Sequence, residues 1–424
     1  MKQVPFYNDR VVMSTPRVVV VGAGAAGLVA AAFAAAAGAT VTLVERTRDG
    51  GRKILISGGG RCNVLPSVAT PERFVSDSPA HLLRAMLRSW PLHEQRAFFE
   101  DELGIALALE EESGKLFPRS NRARDVRDAL VSFAAGKGVA LQFGTTVTSL
   151  SRAARGFAIE TSGGTLECER VVLATGGLSV PATGSDGIGL RIAQSLGHDV
   201  IDPYPALTPL LGEGRHAALS GVSLNVRLRS KDGAQSIETH GGFLFTHRGY
   251  SGPSVLDISH VTARGQAPAI RVQWAALTAG DLMAGSGVPP DWSAAALAKV
   301  ADSVAAILSR HVPGRLAEQL MTECGVPVDR RLSSLRRSER VALIDAMTSY
   351  QLPWSGNEGY KKAEVTGGGI KLADLDLKTL ESRKVEGLYL CGEMLDAFGP
   401  IGGHNFSWAW STGRAAGLAA GNLR

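Results

Sequence analysis

The rhythm of apolar and polar positions changes several times along this chain. After Arg17, the valines Val18 to Val21 make an unbroken β-branched run, the pattern of a strand covered on both faces. The run breaks at Gly22-Ala23-Gly24-Ala25-Ala26-Gly27 and continues in a helix-length stretch of alanine and other small residues. It returns as Val41-Thr42-Leu43-Val44 before Glu45. Strand, glycine turn, helix, strand and terminal acid together predict a βαβ unit. Leu82, Leu83, Met86, Leu87 and Trp90 recur at three- to four-residue spacing and predict a helix over 79–103. Residues 123–136 predict another helix. Val139–Gln142, Thr146–Leu150, Phe157–Thr161 and Leu166–Ala174 predict short strands.

The texture changes near Asp202, where Pro203, Pro205 and Pro209 mark a crossing into a second region. Strands are expected there at Val222–Arg229, Gly242–Thr246 and Ala269–Trp274, followed by polar-faced helices over 293–347. Gly367-Gly368-Gly369 lacks a strand-turn-helix setting and reads as a turn. The α/β pattern then resumes with a strand at Leu388–Cys391 and a small-residue helix over 403–420. The fold class expected is α/β: a Rossmann-like dinucleotide-binding domain split in sequence (17–202 and 362–424), an inserted β-rich domain (203–274 and 348–361) and a small helical subdomain (275–347). The first sixteen residues read as a loose extension.

The glycine turn carries the first chemistry. Gly22 permits the tight turn, Gly24 lets a pyrophosphate reach the backbone, and Gly27 lets the helix pack against the strand. The helix N-terminus offers N–H groups and partial positive charge to phosphates. Glu45, 21 residues after Gly24, stands where an acid accepts from the adenosine ribose. The charge-free stretch Val18–Val44 imitates a membrane span or a signal peptide, but three turn-forming glycines and the closing acid speak against both.

The chain has 424 residues, 45% of them hydrophobic, enough for two or three packed domains. Its cysteines, Cys62, Cys168, Cys324 and Cys391, are scattered without a CxxC pair, so neither a zinc knuckle nor a dithiol is supported and no metal site is expected. Scattered thiols suit a reducing cytoplasm. The formal charge of +5 favours anionic ligands without establishing nucleic-acid binding.

A second set of contacts separates FAD from an exchangeable nicotinamide. Leu388 to Asp396 reads as buried strand, glycine turn and acid, with Asp396 placed for ribityl hydroxyls or the pyrophosphate. Gly399-Pro400-Ile401-Gly402-Gly403-His404-Asn405-Phe406 leads into a helix whose first N–H groups suit the pyrimidine of a reduced flavin. A cofactor gripped by both chain ends suits tightly held FAD. No second GxGxxG marks a dedicated domain for NAD(P)H, which is expected only as a transient reductant.

These residues carry a resemblance. GAGAAG at 22–27, RKILISGGGRCN at 52–63, ATGGLSVPATGSDG at 174–187, FTHRGYSGP at 245–253, EVTGGG at 364–369 and GLYLCGEMLDAFGPIGGHNFSWAWSTG at 387–413 occur in order along the chain. In them the sequence resembles the bacterial NAD(P)/FAD-dependent oxidoreductases, the family that includes aminoacetone oxidase and a bile-acid enone reductase. The resemblance implies that Gly22, Gly24, Gly27, Glu45, Arg52, Lys53, Gly60, Arg61, Cys62, Asn63, Gly392, Glu393, Asp396, Gly403 and Asn405 line FAD. It also implies that Val147 pairs its backbone with the adenine. Ala25, Ala26, Arg46, Thr175, Gly176, Gly177, Gly402 and Phe406 complete the expected cofactor set. Two stretches depart from the pattern: Val64, Leu65 and Pro66 follow Cys62-Asn63 where polar residues are usual, and His404 stands where relatives often carry an aromatic.

Reduction of an activated C=C bond needs a proton donor opposite the hydride. Cys62, in a glycine loop that does not read as a core segment, is the first candidate, with Arg61 beside it as a group that would lower its pKa; its other reading is a small buried cysteine that merely shapes the loop. His247, with Arg248 and Tyr250, and His404 are further catalytic candidates, against readings as a domain-anchoring turn and a helix start. Arg330, Arg331, Arg336, Arg337 and Arg340 read as a solvated face or as an RNA contact. Three functions follow: hydride transfer to an enone-like small molecule or a uridine-type base, an oxygen-using amine or aminoketone oxidase, and a flavin-bound RNA- or ribosome-associated factor. No membrane partner is expected, and the sequence sets no oligomeric state.

Overall fold

The computed structural model describes residues 15–232, 235–264, 269–274 and 303–422. The chain forms two compact units, one from the segments ending at Pro203 and beginning at Gly368, the other from Tyr204 to Gly367.

The first unit is built on a five-stranded sheet in the order Leu388–Leu390, Arg170–Leu173, β1 (Arg17–Val21), β2 (Thr40–Glu45) and Ala140–Phe143. Every neighbouring pair is parallel. β1 takes the central place, which is why its valines form a continuous apolar run. Helix α1 (Ala25–Ala36) follows it directly. This is the Rossmann-like α/β arrangement that the apolar pattern predicts.

α1 packs against the C-terminal helix His404–Gly421 at unusually close range. A Cβ on Gly413, Gly417 or Gly421 would fall 2.4, 2.3 or 2.4 Å from the carbonyl oxygen of Ala26, Ala30 or Ala34. The glycines recur every fourth residue on one helix and the alanines every fourth on the other, so backbone meets backbone along both stripes.

Two expected elements divide. The helix over 79–103 becomes Ala80–Ser89 and Leu92–Ala97, extended by a wide turn at Phe98–Glu102, because Trp90 is extended before Pro91. The strand over 166–174 becomes Gly164–Cys168 and Arg170–Leu173. Between them Glu169 turns to Arg17, accepting its N–H at 2.7 Å and pairing with its guanidinium at 3.1 Å. An antiparallel sheet of Leu65–Pro66, Lys115–Pro118 and Leu107–Glu110 has no clear apolar alternation and escaped the sequence reading.

The chain leaves this unit along Val200–Ala206 and returns along Val365–Ile370, and these two strands pair. The triple glycine is therefore a buried strand and not a turn. A Cβ on Gly367 would lie 2.3 Å from the Tyr204 ring, and one on Gly368 2.6 Å from the Asp202 carbonyl oxygen. Close approach, not chain reversal, demands these glycines.

The second unit holds a seven-stranded antiparallel sheet whose centre is the long hairpin Ser223–Asp232 and Gln235–Phe245. Its second strand begins well before the expected Gly242, since residues 235–241 hold one large apolar side chain, Ile237, and give no apolar run. Of the helices expected over 293–347, residues 293–302 lie outside the described residues. The remainder contains Val304–Leu308, Gly314–Glu323 and Arg337–Thr348. They share one apolar core with the sheet, around Phe243, Phe245, Trp274, Leu316 and Leu343. Among the described residues no helix is long and apolar enough to cross a membrane, and no cluster of His, Cys, Asp and Glu is arranged to hold a metal.

Candidate cofactor and active site

In a parallel sheet all strands end on one edge, and a crevice outside that edge is where such folds take ligands. β1, β2, Arg170–Leu173 and Leu388–Leu390 end there, followed by the Gly22–Gly27 turn, Glu45, Thr175-Gly176-Gly177 and Gly392-Glu393.

Gly22 has φ +103° and a Cβ there would strike the Ala174 carbonyl oxygen at 2.6 Å. At Gly27 a Cβ would come within 1.7 Å of the Gly22 carbonyl oxygen. At Gly24 it would meet nothing within 4 Å, so this side of the turn is open. The first helical bond is Leu28 N–H to the Gly24 carbonyl at 3.0 Å, which leaves the amides of Ala25, Ala26 and Gly27 for an anion. Glu45 holds the turn in shape: Oε2 accepts from Ala23 N at 2.8 Å and Oε1 from Thr47 N at 2.7 Å. Arg46 pairs with Asp186 at 2.5 Å. Thr145 N donates to the Glu45 carbonyl at 2.9 Å, and Val147 starts the neighbouring strand beside an irregularity in its register.

A second layer joins distant parts of the chain. α2 (Arg52–Ile56) starts at Gly51, whose N–H donates to the Ala23 carbonyl at 2.7 Å. Arg52 pairs with Asp49 at 3.0 Å. Lys53 Nζ reaches both Glu393 Oε2 and Ser179 Oγ at 2.6 Å, and Ser179 Oγ donates to Glu393 Oε1 at 2.6 Å. Ser179 is fully buried and was missed by the sequence reading, although it lies in the quoted 174–187 segment. Gly392 is fixed from the C-terminal helix, its N–H donating to Thr412 Oγ1 at 3.0 Å and its carbonyl accepting from Trp408 Nε1 at 3.1 Å. Asp396 Oδ2 accepts from Ser76 Oγ, Asp77 N and Ser78 Oγ at 2.9, 3.0 and 3.3 Å. Burial nevertheless pushes its pKa above the ordinary aspartate value. The Ser-Asp-Ser clamp gave no recognisable sequence signal.

The loop after α2 departs most from expectation. Cys62 is completely buried, with φ +65°. Burial pushes its thiol up to about 12, against a weaker pull from a bond with Ser57. Arg61 does not lower it: the guanidinium pairs with Glu110 at 3.1 Å and lies 3.9 Å over the Phe117 ring. Cys62 therefore is a core residue inside a glycine loop. Among the described residues, Gly59 faces open space, Gly60 has only the Leu55 carbonyl near it at 3.9 Å, and Asn63 Oδ1 is buried without a partner.

Gly402 and Gly403 bring the chain over Lys115 and Leu65 into the C-terminal helix. Asn405 binds backward, accepting from Gly399 N and donating to its carbonyl, both at 2.9 Å. Phe406 stacks on Trp410 with centroids 5.3 Å apart. His404 is buried beside Val68 and Arg73, with Nε2 3.1 Å from the Val68 carbonyl. Burial, then Arg73, lowers its pKa to about 4, so it is a neutral imidazole at neutral pH. Unfolded His404 takes a proton near 6.5 and the folded one resists until about 4. Stability is thus fully present above about pH 6.5 and is lost as pH falls toward 4. A shift of this size corresponds to about 3 kcal/mol. His404→Gln should flatten the fall in unfolding free energy between pH 7 and 4.5, measured by urea titration; an unchanged slope would leave His404 without this role.

His247 lies in the second unit, exposed on the turn before Gly249–Ser251. Arg248 pairs with Glu358 at 3.3 Å. Tyr250 is buried in the core, its hydroxyl 2.9 Å from His216 Nδ1. It is a core residue, not a surface group waiting for substrate.

The first unit fits a dinucleotide. Open space at Gly24 and Gly59, the amides at the start of α1 and of the C-terminal helix, and the buried, unpartnered Thr175 Oγ1 and Asn63 Oδ1 all provide for polar ligand atoms. A model of the family described as HI0933-like protein Rossmann domain matches residues 16–419. The chain is 34% identical over 402 residues to Ribosomal RNA dihydrouridine synthase of Escherichia coli, covering 93% of this chain and 95% of that protein. To the protein of the same name from Haemophilus influenzae it is 33% identical over 410 residues, covering 95% and 97%. To 3-dehydro-bile acid delta(4,6)-reductase of Clostridium scindens it is 31% identical over 421 residues, covering 95% and 98%.

Proposed function

The chain belongs to the HI0933-like Rossmann-domain family, and from that premise we propose that it is an FAD-dependent oxidoreductase which saturates the C5=C6 bond of uridine in ribosomal RNA. The support is the pairing of a dinucleotide cradle with relatives, matched over nearly their full length, named for dihydrouridine synthesis. The bile-acid relative, similar to nearly the same extent, is also named for C=C reduction, so an enone-like small molecule is the second reading. In both cases the bond is conjugated to a carbonyl and takes one hydride and one proton.

When bound, FAD supplies the hydride. The chain's own groups do the rest. Ala25, Ala26 and Gly27 offer amides to the pyrophosphate, and Glu45 keeps that turn in register. Lys53, Ser179 and Glu393 form a polar cluster linking three crevice-lining segments. The start of the C-terminal helix presents N–H groups and partial positive charge to the flavin pyrimidine. NAD(P)H is the proposed transient reductant.

Incubating the reduced protein anaerobically with unmodified ribosomal RNA and digesting the RNA should yield dihydrouridine by mass spectrometry. Reoxidation of the flavin by a small enone, with no dihydrouridine formed, would favour the second reading. Failure with both acceptors would refute C=C reduction.

Cys62 is proposed to act by shaping the 57–63 loop, since its sulfur is sealed from any ligand. Cys62→Ala should retain FAD and lower turnover less than tenfold. A general acid in the transition state contributes about 10²–10⁴-fold, so a loss of that size with FAD retained would instead make Cys62 the proton donor. With the thiol at about 12, no limb from Cys62 should appear in the pH profile between 6 and 10.

A further inference from the structure

An enzyme that works on RNA needs to hold phosphates, and the second unit carries a cluster in which arginines outnumber acids among the described residues. We infer that Arg331, Arg336, Arg337 and Arg340 form a docking surface for the RNA phosphate backbone; this rests on the uridine reading above.

Between residues 330 and 340 there are five arginines and one acid, Glu339. That acid is fully committed. Its Oε1 is 3.1 Å from Arg330 Nη2, and its Oε2 accepts the Arg336 N–H at 2.9 Å. These bonds hold the 330–336 turn against the first turn of the helix Arg337–Thr348 and neutralise Arg330. Arg331, Arg336 and Arg337 are exposed and Arg340 half-exposed, and among the described residues none of the four forms an ion pair.

This placement is unfavourable in the protein by itself. Arg336 and Arg340 stand four apart and Arg337 and Arg340 three apart, so like charges face each other on one side of the helix. All crowd the helix N-terminus, where the macrodipole favours negative charge and disfavours cations. A solvated helix face normally mixes signs; here a neighbouring anion would relieve both conflicts. The groove beside the cluster is open and lined by Arg337, Ser338, Val341, Ala342 and Asp345. No aromatic residue occurs between 328 and 341, so the surface suits backbone charge and not base stacking.

The test is the Arg337→Gln, Arg340→Gln double variant, compared with wild type for binding to in-vitro-transcribed ribosomal RNA over a potassium chloride series. Two lost phosphate contacts should make the log–log salt slope shallower by about 2 and weaken binding about tenfold or more near 150 mM salt. FAD content and melting temperature should not fall, since the substitutions relieve repulsion. Unchanged slope and affinity would overturn the docking surface even if the wild type makes dihydrouridine. Absence of dihydrouridine from wild-type reactions would overturn the functional reading instead, and the two results come from separate assays.

Discussion

Gly24→Asp should give a folded protein that no longer holds FAD. Gly24 is the residue before the first turn of α1, with φ −76° and ψ −171°, a conformation open to any L-residue. No atom lies within 4 Å of where its Cβ would stand. Aspartate is among the best residues at this cap position and should match or slightly raise the stability of α1. The same carboxylate would stand where the pyrophosphate must approach, adding like charge and bulk at the amides of Ala25 to Gly27. FAD affinity should fall at least about 100-fold, near 3 kcal/mol, while the melting temperature of the cofactor-free protein holds or rises. Flavin absorbance after purification, FAD titration and thermal unfolding check this. A yellow Gly24→Asp protein with wild-type affinity would remove the phosphate turn from the site. Gly27→Ala provides the contrast: its Cβ would lie 1.7 Å from the Gly22 carbonyl oxygen, so the turn itself would have to deform.

What the sequence discloses depends on whether a signal is local. The first βαβ unit is legible because the Val18–Val21 run, the three glycines and Glu45 each carry their own chemistry within thirty residues. The long strand Gln235–Phe245 is half hidden because its first part carries a single large apolar side chain, Ile237. Gly367 to Gly369 look like a turn in isolation, and the reason for the first two, Tyr204 and the Asp202 carbonyl, lies more than 160 residues away. The proton-donor reading of Cys62 fails in the same way, while its other reading, a small buried cysteine that shapes the loop, agrees with its burial. A glycine-rich loop suggests exposure, but burial is set by elements that the local pattern does not contain, and Arg61 is drawn to Glu110 and Phe117 on the neighbouring sheet. Ser179 is invisible as a site residue because its partners, Lys53 and Glu393, are 126 and 214 positions distant. Glycine turns announce themselves; polar clusters assembled from three segments do not.

The spacing between α1 and the C-terminal helix leads to the second large effect. Gly417→Ala should destabilise the protein by about 2 kcal/mol or more, the range for forcing bulk into a packed core. The new methyl would sit 2.3 Å from the Ala30 carbonyl oxygen and 2.9 Å from its Cα, and a helix backbone has no rotamer by which to yield. Gly136→Ala is the matched control: Gly136 is the exposed last residue of the helix Ala123–Gly136 and its Cβ would meet nothing within 4 Å, so that change should stabilise by a few tenths to about 1 kcal/mol. The consequence extends to the ligand. The start of α1 carries the phosphate turn, and the start of the C-terminal helix carries Gly403 to Phe406, the segment proposed to face the flavin. Separating the helices by even an ångström shifts one end of the cradle against the other, so FAD affinity should fall together with the unfolding midpoint. Urea unfolding and FAD titration of the same preparations measure both. Loss of stability with undiminished affinity would mean that the two helix starts do not hold one ligand between them, and the proposal of FAD gripped from both chain ends would fail there.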